Sequence, residues 1–261
     1  MKILFIGDIV GRPGRDLLRD HLANILEARQ IELCIANAEN SAAGNGTTPR
    51  LVEELLSLGI DVLTSGNHIW DKKEILSYFE SQPRLLRPAN YPPGSPGEGV
   101  YTGQSRSGIP VAVLNLQGRV FMPSIDCPFR TADSLLAALP NDIKIRFLDF
   151  HAEATAEKQA LGWYLDGRVS ALVGTHTHVA TADERLLPQG TAYISDVGMT
   201  GPHDSIIGVD LGIIEPKFIR QLPARFEVAK GNIQLNGVEV EVNEETGRAD
   251  HIQRFCLKIE E

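Results

Sequence analysis

Ala171-Leu172-Val173-Gly174-Thr175-His176-Thr177-His178 is an apolar run that ends in two histidines spaced by one threonine. A run this long and rich in branched side chains reads as a strand buried on both faces. The pattern recurs four times upstream. Asp8 follows Ile3-Leu4-Phe5-Ile6-Gly7, Glu39-Asn40 follows Leu33-Cys34-Ile35-Ala36, and Asn67-His68 follows Val62-Leu63-Thr64-Ser65-Gly66. His151 follows Phe147-Leu148-Asp149-Phe150. Parallel sheets carry their working residues just beyond the carboxyl ends of the strands. All five segments are therefore expected at one edge of one sheet. Their side chains are carboxylates, amides and imidazoles, the ligands of a hard-to-borderline metal.

The intervening sequence supplies helices. Leu18, Leu22, Ile25 and Leu26 predict one over 16–29, and Thr48-Pro49 begins another as a cap followed by proline. Shorter ones are expected over 72–79, 131–139 and 154–165. Further strands are expected at 109–116, 143–150 and 169–174. Strand–helix–strand repetition predicts parallel pairing and an α/β class. The Pro/Gly-rich stretch 83–108 reads as an irregular connection. After His178, segments at 191–195, 224–229, 232–242 and 251–259 surround Asn236-Gly237 and Thr246-Gly247, both hairpin signals. They suggest a second, more antiparallel sheet. No linker or repeat divides the chain, so a single domain over 1–261 is expected.

Composition narrows the function classes. At 261 residues and 43% hydrophobic, the chain can build a sizeable core. A net charge of −9 argues against duplex DNA as partner. No stretch approaches the ~18 apolar residues of a membrane span. Asp8 follows the N-terminal apolar residues too soon for a leader, which leaves a first strand. Cys34, Cys127 and Cys256 form no C-x-x-C pair, as expected of a reducing cytoplasm.

Asp8, Glu39, Asn40, Asn67, His151, His176 and His178 could serve two metals, with one carboxylate bridging. Oxygen and imidazole donors without thiolate suit iron, manganese, cobalt or zinc. His176 and His178 sit where a strand ends and the chain turns, so each can reach a different metal. His68 follows the ligand candidate Asn67 and points away from it in extended backbone. That placement suits a proton donor to a leaving alkoxide.

Gly7-Asp8, Glu39-Asn40, Gly66-Asn67-His68, His151 and Gly174-Thr175-His176-Thr177-His178 resemble the ordered blocks of the calcineurin-like metallophosphoesterases. Two departures mark a branch: Asp8-Ile9-Val10 lacks the usual histidine, and Ala38-Glu39-Asn40 replaces a G-D-x-x-D block. Together with Asp196-Val197-Gly198-Met199-Thr200-Gly201-Pro202, they resemble the YmdB-like bacterial phosphodiesterases. The resemblance implies a two-sheet sandwich flanked by helices, with a dinuclear, di-iron site at the strand ends. Asp8, Glu39, Asn40 and His178 would hold the first metal. Glu39 would bridge to a second held by Asn67, His151 and His176. It also implies hydrolysis of phosphodiesters, notably 2′,3′-cyclic nucleotides, by a metal-activated hydroxide with His68 as proton donor.

Other readings stand beside this one. Two metals also activate water against amides and esters, and the same ligands could serve a regulatory protein whose hydrolysis is slow. RNA ends are an alternative substrate to small cyclic nucleotides, and a homo-oligomer is the default assembly. Arg12 and Arg15 could contact phosphate near Asp8, although solvation is the simpler role. For His203 a turn role is simpler. Asp149 could orient a ligand from behind, or equally cap a neighbouring element.

Overall fold

Alternate residues of β1 (Lys2–Ile6) enter different cores. Ile3 and Phe5 face a second sheet, whereas Leu4 and Ile6 face helices. This two-sided burial explains why the run is apolar throughout. The computed structural model describes residues 1–258. The first half continues with β2 (Asp8–Ile9), α1 (Gly11–Arg29), β3 (Leu33–Asn37), α2 (Pro49–Ser57), β4 (Val62–Thr64), α3 (Ile75–Tyr78), β5 (Val100–Gln104) and β6 (Pro110–Gln117). Then come α4 (Pro128–Ala138), β7 (Ile145–His151), α5 (Thr155–Tyr164), β8 (Ala171–Thr175), β9 (Arg185–Leu186), β10 (Ala192–Ile194), β11 (Met199–Pro202), β12 (Ile233–Val242) and β13 (Ala249–Lys258).

Among the described residues the strands form two sheets, one ordered β2-β11-β12-β1-β3-β4 with β13 on β12, the other β5-β6-β7-β8-β10-β9. β1, β3 and β4 are parallel, as are β6, β7, β8 and β10. Between the sheets, Phe5 stacks on Phe147 with centroids 5.6 Å apart, amid Ile35, Val113 and Val173. Each such burial contributes about 1.5–3 kcal/mol. Outside the first sheet, Leu18, Leu22 and Leu55 of α1 and α2 cover Leu4, Cys34 and Leu63. Outside the second, Ala132, Leu136 and Leu161 of α4 and α5 cover Leu114, Leu148 and Leu172. The result is the expected metallophosphoesterase-like sandwich of two sheets between helices.

Several expectations are corrected. The five polar segments do not share one sheet: three end β1, β3 and β4 of the first, and two end β7 and β8 of the second. Packing face to face brings the two carboxyl edges together. The late segments form no separate sheet either. β12 pairs antiparallel with β1, while β10 pairs parallel with β8.

Asn236-Gly237 is not a turn. Both lie inside β12, and a Cβ at Gly237 would approach the Phe5 carbonyl oxygen to 2.7 Å, so this glycine serves strand contact. The hairpin turn contains Thr246-Gly247, as expected. Residues 224–229 contribute only a bridge between Val209 and Val228, and the 83–108 stretch contains β5. The last residue of the expected strand 251–259 lies outside the described residues. α3 covers only part of 72–79, whereas α1 starts at Gly11 because Pro13 fits its first turn. Thr48 caps α2 as expected, its Oγ1 accepting from the Leu51 amide at 3.3 Å. No described helix is long and apolar enough to cross a membrane.

Candidate metal centre

The convergent edges bring together Asp8, Glu39, Asn40, Asn67, His151, His176 and His178 in two overlapping sets. One gathers on the His151 ring. Its Nε2 lies 3.1 Å from Glu39 Oε1, 3.0 Å from Asn67 Oδ1 and 3.0 Å from His176 Nδ1. One ring nitrogen cannot satisfy three such neighbours by hydrogen bonding. Ligand atoms of Glu39, His151 and His176 all lie within 4.8 Å of one another. In the second set, His178 Nε2 is 3.0 Å from Asn40 Nδ2 and 3.8 Å from Asp8 Oδ1. Asn40 Nδ2 also donates to Glu39 Oε1 at 3.3 Å, linking the sets.

Each of the three imidazoles has one nitrogen tethered outside the cluster. Thr175 Oγ1 donates to Asp149 Oδ1 at 2.8 Å and so accepts from His151 Nδ1 at 3.0 Å. His178 Nδ1 donates to the Ile207 carbonyl at 2.8 Å, and His176 Nε2 meets Glu153 Oε2 at 3.1 Å. The other nitrogen of each ring faces inward. Such outer partners fix the tautomer and orientation of histidine ligands. Asp149 thus orients a ring, as the sequence suggested, but through Thr175. Asp149 Oδ2 also accepts from Thr64 Oγ1 at 2.5 Å and from Asn37 Nδ2 at 3.2 Å. Asn37 Oδ1 in turn accepts from the Glu39 amide at 3.1 Å.

The electrostatics fit a cation. Asp8 is fully buried, and its Oδ1 has no hydrogen-bond partner. Burial pushes its carboxyl above the usual carboxylate range, despite His178 and His151 nearby. Burial also opposes charge on Glu39 and His151, yet their mutual attraction prevails. It holds Glu39 down at about 2 and lifts His151 to about 9. Burial and the neighbouring His151 charge bring His176 down to about 3, leaving it neutral. Burial raises Asp149 to about 7 against the pull of its hydroxyl donors. A buried orphan carboxylate oxygen among inward-facing lone pairs is a donor set that a divalent cation satisfies.

His68 is placed differently. Its amide donates to Glu39 Oε2 at 3.1 Å, while its partly exposed ring bonds through Nδ1 to Asp71 Oδ2 at 2.9 Å. His68 lines a cleft of about 490 Å³, together with Glu39, Asn40, His176 and His178. Lys72, Phe226 and Val228 lie on its walls. A larger neighbouring cavity of about 700 Å³ contains none of the strand-end residues.

Arg12 lines that neighbouring cavity and pairs with Asp16 at 3.0 Å, while Arg15 donates to the Ser41 carbonyl at 2.9 Å. Neither reaches the cleft. His203 Nε2 sits 3.3 Å from the Met199 carbonyl and 3.1 Å from Asn236 Nδ2, a structural position. The sequence reading missed Thr175, Glu153, Asp71 and Ile207. Only Asp71 carried a local signal, three residues beyond His68.

Gly66 leaves room for the His151 ring. A Cβ there would lie 2.1 Å from His151 Cδ2. Gly66→Ala should therefore displace the ring, lower metal content and destabilise the fold by about 1–3 kcal/mol. Elemental analysis and thermal melts check this; unchanged metal content would show that His151 is not held as described.

The sequence model of the YmdB-like protein family matches residues 4–255. A Bacillus subtilis protein named 2′,3′-cyclic-nucleotide 2′-phosphodiesterase is 50% identical over 257 residues, covering 98% of this chain and 97% of that protein. A crystal structure of a Thermus thermophilus hypothetical protein superposes with a TM-score of 0.93 at 40% identity, covering 99% of both chains. A Mycoplasma pneumoniae structure described as a novel phosphatase gives 0.92 at 34%, covering 99% of this chain and 93% of that one. Coverage is nearly complete at each level, and the chain belongs to the YmdB-like protein family.

Proposed function

We propose that the chain is a metal-dependent phosphodiesterase acting on 2′,3′-cyclic nucleotides. The observation that carries the reading is the ring of inward-facing imidazole nitrogens around buried carboxylates, one with an orphan oxygen. Asp8, Glu39, Asn40 and His178 would hold one ion, and Glu39, Asn67, His151 and His176 the other. Iron is the proposed metal, with manganese or zinc as substitutes. When bound, such a pair activates water and neutralises charge developing at phosphorus.

Glu39 lies between the two sets, and the His68 amide fixes one of its oxygens. Asp71 holds the His68 ring by Nδ1, leaving Nε2 for substrate. A 2′-phosphodiesterase, as the Bacillus subtilis relative is named, breaks the bond to the ribose 2′ oxygen. His68 would protonate that oxygen as it departs, releasing a 3′-phosphate. We extend the proposal to one domain over 1–261, a homo-oligomeric assembly and a reducing cytoplasm. The free Cys34, Cys127 and Cys256 suit the last.

A substrate panel tests the activity. Hydrolysis of 2′,3′-cyclic nucleotide and bis-p-nitrophenyl phosphate is expected, without cleavage of a chromogenic peptide. Peptide cleavage with inert phosphodiesters would overturn the proposal. Including RNA ending in a cyclic phosphate shows whether longer chains enter the cleft.

A further inference from the structure

Lys158 of α5 reaches beneath the end of β8, where its ammonium meets Asp196 at 2.7 Å. The two side chains are only 1% and 2% exposed. Its stem passes so close to β8 that a Cβ at Gly174 would lie 2.9 Å from Lys158 Cδ. Desolvating two charges makes a buried ion pair a poor source of stability. A different role is written in what the carboxylate holds. Asp196 Oδ2 accepts from the Thr177 amide at 3.1 Å and from Thr177 Oγ1 at 2.8 Å, while Oδ1 accepts from the Gly198 amide at 2.8 Å.

Thr177 is the residue between the two histidines of the candidate centre. On either side of it the backbone is left-handed, with φ of 102° at His176 and 65° at His178. Such conformations cost on the order of 1–3 kcal/mol each in non-glycine residues and persist only where surroundings impose them. They send His176 toward Glu39 and His151, and His178 toward Asp8 and Asn40. The Thr177 side chain goes to Asp196 instead.

We infer that the Lys158–Asp196 pair is a positioning device that pins Thr177 and thereby aims His176 and His178 at separate metal ions. The inference rests on the metal-centre reading given under the proposed function. Charge-assisted hydrogen bonds are stronger than neutral ones, which suits a carboxylate holding strained backbone. Lys158 supplies the counter-charge that lets this carboxylate stay buried.

Manganese titration by calorimetry on the purified full chain, well below each variant's melting temperature, tests the device. Asp196→Ala and Thr177→Val should weaken manganese binding about 10- to 100-fold, the usual loss for partners that orient ligands. Thr177→Ser should bind as the parent does. The pair Lys158→Met with Asp196→Asn removes both charges but keeps an acceptor, and should recover most of the affinity lost in Asp196→Ala. Lower melting temperatures with parental manganese affinity would overturn the inference and make the pair merely structural. If Asp196→Ala fails to fold, Thr177→Val, which disturbs no charge, decides alone. A parent chain that binds no manganese, iron or zinc would instead overturn the metal-centre reading itself.

Discussion

Glu39→Gln should strip metal from the chain and abolish phosphodiester hydrolysis. Glu39 is fully buried, and its Oε1 meets both candidate sets, at Asn40 Nδ2 and at His151 Nε2. An amide presents one oxygen and no charge, and cannot bridge two cations. The same change removes the counter-charge of His151. Breaking a buried pair costs about 3–5 kcal/mol, an upper bound here because His151 can shed its proton. In the metal-free parent, Glu39 is held down at about 2, so its contribution is present above the ordinary Glu value of ~4.3 and fades as pH falls through about 2. His151 is lifted to about 9, so its contribution is full below ~6.5 and fades as pH rises through about 9. Melts of the metal-free parent should therefore lose stability between pH 6.5 and 9 more steeply than melts of Glu39→Gln. Parallel curves would show that the pair does not form, and parental metal content would remove Glu39 from the centre.

His68→Ala should leave metal content at the parental level and lower turnover by about 10²–10⁴-fold, the usual contribution of a general acid. The split arises because the His68 backbone amide, retained in alanine, holds Glu39, whereas the ring held by Asp71 is lost. The loss should be smaller for a substrate whose leaving group needs no proton. Bis-p-nitrophenyl phosphate is such a substrate, since nitrophenolate departs unaided while a ribose alkoxide does not. Equal losses on both would contradict proton donation. Removing Asp71 should reproduce part of the effect by freeing the ring.

Much of this was legible in the sequence because burial on both faces writes itself as unbroken apolar runs. Ile3–Ile6 and Ala171–Val173 announce strands, and the residues after them announce a strand-end site. The division between two sheets was not legible. A run such as Phe147–Phe150 has the same pattern whether it lies beside β1 or across a core from it. Asn236-Gly237 misled because an Asn-Gly pair favours a turn, and the tertiary demand for close contact with β1 carries no local mark. The tethers that aim the site were likewise silent. Thr175 lies 24 residues from His151, and Asp196 lies 38 from Lys158, so folding alone supplies their proximity.

The most direct test of the central claim is hydrolysis of 2′,3′-cyclic nucleotide by the purified chain, stripped of metal and then reloaded with iron or manganese. The stripped chain should be inactive, and activity should rise with bound metal until two ions per chain are reached. Hydrolysis by fully stripped protein, or none after reloading, would contradict the account.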